Sequence, residues 1–198
     1  MDRLDQSILR CDVPLFRDEY TPGDGNCFPR SMIQQCERDE VRKWLRDHRP
    51  WKIAINYHDL RMRVVKFALE TSNDNLSNLK EHYENVQIPL RNDGRSWNDY
   101  WEWMSQDKVW ADDIFIQATA WYLELDIKII TFTSTPANPF MTISGAERER
   151  EPSRPNLYVG YYPVPPNQHY QSLLPKFSYT SNNPLTLSGP GGGSGEPP

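Results

Sequence analysis

The chain has 198 residues, of which 25% are charged, and a formal net charge of −5. This length suits one domain with a sizeable core, and 37% hydrophobic with 12% aromatic residues is typical of a globular protein. No apolar run approaches the roughly 20 residues of a membrane span, and the acidic balance disfavours nucleic acid as a partner. We therefore expect a monomeric domain that binds neither membranes nor nucleic acid.

Cysteine usage indicates the compartment in which the chain works. The three cysteines, at positions 11, 27 and 36, are an odd and sparse set, which argues against a disulfide framework and favours a reducing environment. They lack the paired spacing of zinc ligands, and the N-terminus lacks the basic start and hydrophobic stretch of a secretory signal. We therefore expect a cytoplasmic or nuclear protein without a metal site.

The composition divides the chain into three segments. Residues 1–19 are polar with scattered apolar anchors, and we expect them to form an N-terminal extension along the surface. Residues 20–178 are expected to form the one folded domain. Residues 179–198 form a tail rich in proline, glycine and serine, whose apolar surface is too small to offset the entropy lost on ordering. We expect this tail to be disordered.

A tight loop and a single cysteine follow the extension. Residues 22–26, Pro-Gly-Asp-Gly-Asn, bend the backbone or tolerate positive φ, and the residues after Cys27 can continue as a helix. A helix N-terminus favours thiolate over thiol, and glycines let a substrate backbone approach amide groups that stabilise an oxyanion. Cys27 is therefore a candidate nucleophile. A small thiol buried in the core fits the local pattern about as well.

The middle of the chain is expected to be helical. Residues 37–49 carry basic side chains near two tryptophans, but the acidic residues among them favour a solvated helix face over a nucleic-acid patch. Hydrophobic spacing predicts a helix at about 59–70 and another from 112 or 113 to about 125. Between them, Ser96 and Asp99 form the pattern of a capping box at a helix start.

Strands are expected only after the last helix. Alternating β-branched and aromatic residues predict strands at residues 126–133, 140–144, 157–162 and 169–174, separated by proline-rich or charged loops. Helices that come first and strands that come last indicate an α+β fold, in which a small central β-sheet packs between helices.

A thiol nucleophile needs a base, and among the four histidines His169 is the best candidate. It opens the last predicted strand directly after a proline-stiffened connector, where a ring is held with few rotamers. A half-buried histidine without a chemical role is the alternative interpretation. Together, Cys27 at a helix N-terminus and His169 on a late strand favour a thiol hydrolase.

Four blocks of sequence resemble the ovarian-tumour (OTU) family of cysteine proteases across about residues 20–175. These blocks are Asp24-Gly25-Asn26-Cys27-Phe28 with Arg30 and Ser31, Trp110 to Ile114 with Gln117-Ala118, Ile127 to Ile130, and His169-Tyr170-Gln171-Ser172-Leu173. The resemblance implies a deubiquitinase that hydrolyses the isopeptide bond at the C-terminal glycine of ubiquitin, without metal or organic cofactor. It implies that Cys27 attacks the carbonyl, that His169 carries the proton, and that the loop before Cys27 supplies oxyanion amides.

The family pattern also bears on the roles of three further residues. Gln171 stands where the family usually has Asn or Asp. Residues 169 and 171 face the same way on a strand, so Gln171 can orient the imidazole of His169, although its longer side chain holds the ring more loosely than Asn would. Asn167 is a candidate to orient the ring in its place. Asp24 is expected to brace the loop, because a carboxylate aimed at an oxyanion would repel it. Pro29 replaces an aromatic residue and is tolerated at a helix start.

The partner expected from the resemblance is ubiquitin or a polyubiquitin conjugate. Acidic residues beside a narrow groove would suit the basic tail of ubiquitin, and Asp93, Asp99, Glu102 and residues 147–151 are candidates, although solvated loops explain each of them better. Two alternatives stay open. The chain could act on another ubiquitin-like modifier, or it could be a catalytically weak OTU-fold module that only binds ubiquitin.

Overall fold

The computed structural model describes residues 16–71, 74–87, 94–132, 140–145, 153–163 and 168–175. Several predicted features lie outside these ranges, namely the first 15 residues of the extension, the tail at 179–198, Asn167, Asp93 and the charged loop at 147–151.

In the described ranges the helices precede four of the five strands; the expectation that strands come only after the last helix is wrong for Phe16–Glu19, which lies before the first helix. They are α1 (Cys27–Cys36), α2 (Asp39–His48), a 3-10 turn (Pro50–Lys52), α3 (Tyr57–Glu70), α4 (Asp74–His82) with a π-helical continuation (Tyr83–Gln87), α5 (Trp97–Met104) and α6 (Asp113–Leu123). None of the helices in the described ranges is long and apolar enough to cross a membrane.

Local capping explains where the later helices begin and end. At the start of α5, the Asp99 amide donates to Ser96 Oγ and the Ser96 amide donates to Asp99 Oδ2, each at 3.2 Å, which is the predicted capping box. Asp112 caps α6 by accepting the Phe115 amide at 3.0 Å. That helix ends two residues before the predicted position, because Glu124 adopts a left-handed conformation with φ of 56°.

Glu124 also ties α6 to the 3-10 turn. Its carboxylate accepts hydrogen bonds from Arg49 at 2.6 and 2.9 Å and from Lys52 at 2.6 Å. Burial raises the pKa of Glu124, but these two basic partners outweigh burial and hold the pKa at about 2. The group is therefore ionised in the folded chain at neutral pH.

The sheet has five strands in the order β1-β5-β4-β2-β3. The strands are β1 (Phe16–Glu19), β2 (Ile127–Thr131), β3 (Phe140–Ile143), β4 (Leu157–Tyr162) and β5 (His169–Pro175). Strands β2 and β4 are parallel and the other pairs are antiparallel. The last four residues of the predicted N-terminal extension therefore form an edge strand, β1, which pairs with β5.

Helix α1 lies between this sheet and the other helices. It packs against β4 and β5 on one side and against α3 on the other, and α3 in turn packs against α5 and α6. The core that they enclose is rich in rings, including Phe28, Tyr100, Trp101 and Phe115, which are fully buried. The α+β fold with a small mixed sheet is thus the predicted architecture, and it places the N-terminus of α1 at the start of β5.

Candidate active site

The sheet brings Cys27 and the start of β5 together. Cys27 is the first residue of α1 and only 1% of its surface is exposed. Its Sγ accepts a hydrogen bond from the backbone amide of Tyr170 at 3.5 Å. His169 precedes Tyr170 directly and is 6% exposed. The two predicted catalytic residues therefore lie at one place in the fold, although 141 positions separate 27 from 169 in the sequence.

The loop before Cys27 is held by Asp24. One carboxylate oxygen accepts the Asn26 amide at 3.1 Å, and the other pairs with Arg30 of the first turn of α1 at 3.0 Å. Burial raises the pKa of Asp24, but the hydrogen bonds from Arg30 and Asn26 bring it below its usual value. This geometry agrees with the expected role of Asp24, which is to brace the loop before Cys27. It also occupies the Asn26 amide, one of the groups expected to serve an oxyanion.

Gly25 is required by the packing of this loop. Its φ is +83°, and a Cβ at this position would lie 2.0 Å from the carbonyl oxygen of Lys108. Pro29 lies in the first turn of α1 and is buried, where its missing amide hydrogen leaves no helix bond unmade.

Asn26 is fully buried and uses its whole carboxamide to join the loop to a second turn. Its Nδ2 donates to Asp107 at 2.9 Å, and its Oδ1 accepts from the Lys108 amide at 3.1 Å and from Arg61 at 3.2 Å. Arg61 belongs to α3, and its place in this site was not predicted from the sequence. Its signal is its spacing, because it shares the buried stripe of that helix with Val64, Val65 and Ala68.

Burial dominates the electrostatics at the sulfur. It raises the pKa of Cys27 to about 11, against the opposing effect of the backbone amides of Tyr170 and Phe28. Asp24 raises it further. The amide of Phe28 in the first turn of α1 favours the thiolate in the predicted direction, but burial has the larger effect, so the thiol is the resting form. Burial likewise lowers the pKa of His169, although a backbone contact with Thr21 opposes the change. The resting pair is a neutral thiol beside a neutral imidazole.

Gln171 does not orient the histidine ring in this structure. It is 4% exposed and lies on the same face of β5 as His169, as alternation requires. Within the described ranges, however, neither His169 Nδ1 nor Gln171 Oε1 has a hydrogen-bond partner. The predicted bond from the ring to this oxygen is therefore not formed.

Gln35 links the helix of Cys27 to the strand of His169 and was also missed in the sequence. The β4–β5 ladder pairs Val159 with Ser172, so the next rung would join Tyr158 to Leu173. Instead, Gln35 Oε1 accepts the Tyr158 amide at 2.9 Å, and Gln35 Nε2 donates to the Leu173 carbonyl at 2.9 Å. The carboxamide thus takes the place of a peptide in the ladder.

Two more bonds complete the surroundings of Gln35. Its Nε2 also donates to Ser172 Oγ at 2.8 Å, and its Oε1 also accepts from Arg38 at 2.6 Å. The residue falls on the buried stripe of α1 with Phe28, Ser31 and Met32. A polar residue on such a stripe is the one signal in the sequence that distinguishes it from a surface glutamine.

Aromatic rings surround the backbone contact at Cys27. Tyr170 packs against Phe28 at 5.4 Å, Trp110 at 5.6 Å and Tyr161 at 4.8 Å between ring centroids. Trp110 and Tyr161 are half-buried and so offer ring edges to solvent. Of the acidic candidates on α5, Asp99 is engaged in the capping box and Glu102 is exposed. Across the described ranges, no group of three or more His, Cys, Asp or Glu side chains could hold a metal ion.

Comparison with known proteins matches this geometry to one fold. The OTUD1 OTU domain has 17% identity and a TM-score of 0.51, with 80% of this chain and 85% of that one covered. An OTU deubiquitinase from Wolbachia pipientis wMel bound to ubiquitin has 16% identity and a TM-score of 0.51, with 81% and 96% covered. The viral OTU domain protease from Farallon virus has 13% identity and a TM-score of 0.52, with 83% and 88% covered.

These likenesses show the fold, and the sequence itself shows the family. No curated protein sequence matches the chain. The sequence pattern of the OTU-like cysteine proteases, however, matches residues 22–170, which include both Cys27 and His169 and make up well over half of the chain. The chain belongs to the OTU-like cysteine protease family.

Proposed function

We propose that this chain is a thiol-dependent deubiquitinase, which hydrolyses the isopeptide bond at the C-terminal glycine of ubiquitin. The observation that carries the proposal is the hydrogen bond from the Tyr170 amide to Cys27 Sγ, because it puts the thiol next to His169. Membership of a cysteine protease family supports the chemistry. The related Wolbachia fold, an OTU deubiquitinase bound to ubiquitin, supports the choice of substrate.

The reaction begins with a proton transfer, since the resting thiol is neutral. His169 takes the thiol proton while Cys27 Sγ attacks the glycine carbonyl, and the resulting imidazolium then gives this proton to the departing lysine amine. The thioester is hydrolysed by a water from which His169 removes a proton. A lowered pKa keeps the His169 ring unprotonated at neutral pH, which is the form that a general base requires.

The surroundings of Tyr170 suit a narrow, glycine-ended substrate. The half-buried rings of Trp110 and Tyr161 both contact Tyr170, so aromatic side chains crowd the surface next to the sulfur, and a substrate end without side chains would fit there more readily than a bulky one. In this proposal Cys27 and His169 are catalytic, Asp24 braces the loop, and Gln171 is at most a weak orienter. The proposal includes a monomer in the cytosol or nucleus that uses no metal or cofactor.

A ubiquitin probe with a C-terminal electrophile tests the proposal. The wild-type chain should form a covalent adduct, Cys27→Ala should form none, and Cys36→Ala should react as the wild type does. Cys36 is a matched control because it lies on the same helix and its burial raises its pKa to about 12. Reversible binding without an adduct would instead indicate a ubiquitin-binding module. Capture only by the probe of another modifier would indicate a different deconjugase.

A further inference from the structure

A buried cation lies behind the loop of Cys27. The guanidinium of Arg61 has no exposed surface, and it donates to the carbonyls of Met104 at 2.8 Å and Val109 at 2.7 Å. It also donates to Asn26 Oδ1 at 3.2 Å and to the Gly25 carbonyl at 3.4 Å. All four acceptors are neutral oxygens. Within the described residues no carboxylate forms a salt bridge with Arg61, so its charge is not neutralised by direct contact.

Arg61 and Asp24 hold one peptide from opposite edges. In a planar trans peptide the carbonyl and the amide hydrogen point in opposite directions. The Gly25 carbonyl faces Arg61, and the Asn26 amide of the same peptide faces Asp24 Oδ1 at 3.1 Å. This peptide lies one residue before the nucleophile. Its orientation therefore depends on Arg61 from the interior and on Asp24 from the loop.

The other charged groups near Cys27 do not provide a free positive charge. Titratable or charged side chains reach this place from every element packed around it, namely Asp24, Arg30, Arg61, Asp107, Lys108, His169 and Tyr170. Arg30 pairs with Asp24 and covers the ring of Tyr57 at 3.8 Å. Lys108 is exposed, and the His169 ring is neutral at rest. Arg61 is buried and carries positive charge at all relevant pH values; its first electrostatic partner is Asp107, which makes no direct salt bridge with it, and Cys27 comes next.

We propose that Arg61 is a positioning residue of this site: its guanidinium fixes the Gly25–Asn26 peptide and supplies the positive charge beside which the Cys27 thiolate forms. A purely packing role does not explain it, because burying a cation is costly and the four oxygens could be bonded by neutral donors or water. The inference rests on the thiol chemistry of the proposed function, and it does not depend on which modifier is the substrate.

The test uses three variants of the full chain. Arg61→Met removes the charge and the hydrogen bonds, and Arg61→Lys keeps the charge but loses the planar fork. Arg63→Met is the matched control, because Arg63 lies two residues further along α3, is half-exposed and pairs with Asp59 at 2.8 Å. The rate of Cys27 alkylation by iodoacetamide is measured by mass spectrometry between pH 6 and 9, below the thiol pKa of about 11, and thermal unfolding checks that each variant is folded.

Charge and positioning predict different outcomes in the two Arg61 variants. In Arg61→Met the alkylation rate should fall about tenfold at every pH in this range, as a rise of about one unit in the thiol pKa requires. In Arg61→Lys the alkylation rate should stay at the wild-type value, while the rate with the ubiquitin probe should fall about tenfold through loss of positioning. Arg63→Met should match the wild type in both assays.

Each arm can overturn the proposal. An unchanged alkylation profile in folded Arg61→Met would refute the role of the charge. If Arg61→Met does not fold, a lower alkylation rate in Arg61→Lys would refute it instead, because the lysine keeps the charge. A wild-type probe rate in Arg61→Lys would refute the positioning role. Iodoacetamide needs no modifier, so a wild-type chain that ignores the ubiquitin probe would contradict the proposed function and leave the alkylation test intact.

Discussion

Gln35→Leu is the substitution that tests most directly how the helix of Cys27 is fixed to the strand of His169. Leucine is close to glutamine in size and is compatible with a helix, so the change removes the carboxamide and little else. The Tyr158 amide and the Leu173 carbonyl, which both bond to Gln35 at 2.9 Å, would lose their partners. The strands separate at this point, so the two groups do not meet each other.

The expected loss follows from those two backbone groups. An unsatisfied buried backbone group costs about 1–3 kcal/mol, so two of them cost about 2–6 kcal/mol. The apolar surface that leucine buries returns about 1–2 kcal/mol. We therefore expect a net loss of about 3 kcal/mol in the free energy of unfolding, a large share of the roughly 5–15 kcal/mol that holds a domain together.

Urea unfolding followed by tryptophan fluorescence measures this loss. At an m-value of about 2 kcal/mol per molar, 3 kcal/mol lowers the midpoint by about 1.5 M. Gln117→Leu is the matched control, because Gln117 also ties a helix to a strand end, donating to the Ser144 carbonyl at 3.0 Å, but does so at the surface. That variant should lose less than about 1 kcal/mol. Equal midpoints for the two variants would show that water satisfies the groups beside Gln35 and would refute the ladder argument.

Three further predictions concern the loop, acid stability and the base. Gly25→Ala should lower the free energy of unfolding by more than about 2 kcal/mol in urea unfolding, because the new Cβ would overlap the Lys108 carbonyl. Gly94→Ala, at φ of +64° with open space around it, should cost only about 1 kcal/mol. Equal costs for the two variants would contradict the close approach of Gly25 to Lys108. Glu124 has a pKa of about 2 in the folded chain against an ordinary 4.5, so its contribution to the free energy of unfolding is present above pH 4.5 and is lost as the pH falls towards 2. Discounted for partial exposure, this contribution is about 1–2 kcal/mol. Glu124→Gln should therefore remove the dependence of stability on pH between 4.5 and 2. His169→Ala should abolish most turnover of a ubiquitin substrate and Gln171→Ala should lower it only a few-fold; equal losses would show that Gln171 does more than orient the ring.

Elements with local signals could be predicted from the sequence. The strand at 157–162 has the predicted bounds, and the capping box of Ser96 and Asp99 is present, because alternation and capping are properties of neighbouring residues. The strand Phe16–Glu19 could not be predicted. Its four residues are mostly polar, and it becomes a strand only through pairing with β5, more than 150 positions away in the chain.

The candidate site likewise has features that neighbouring residues in the sequence predict and features that they do not. The turn-forming residues before Cys27 mark a loop at a helix start, which is local information, and the structure has that loop. The amide that favours the thiolate belongs to the neighbouring residue Phe28 and is local information, whereas the burial that raises the pKa to about 11 depends on the whole fold and could not be predicted from the sequence. Arg61 and Gln35 act through bonds to distant backbone, and only their places on buried helix stripes mark them in the sequence.

The two halves of the proposed catalytic pair are held very differently. The nucleophile side is fixed, since Asp24, Asn26 and Arg61 bond the loop and the Tyr170 amide contacts the sulfur. The base side is held less completely: the His169 ring contacts the Thr21 backbone, but its Nδ1 has no partner within the described ranges. This difference gives the physical reason why Gln171→Ala should have a small effect: the resting structure contains no bond between Gln171 and the ring for the substitution to remove. The wild-type chain already lacks a side chain that aligns the His169 ring through Nδ1. Its turnover therefore depends on the position that β5 and the backbone of Thr21 give to the ring.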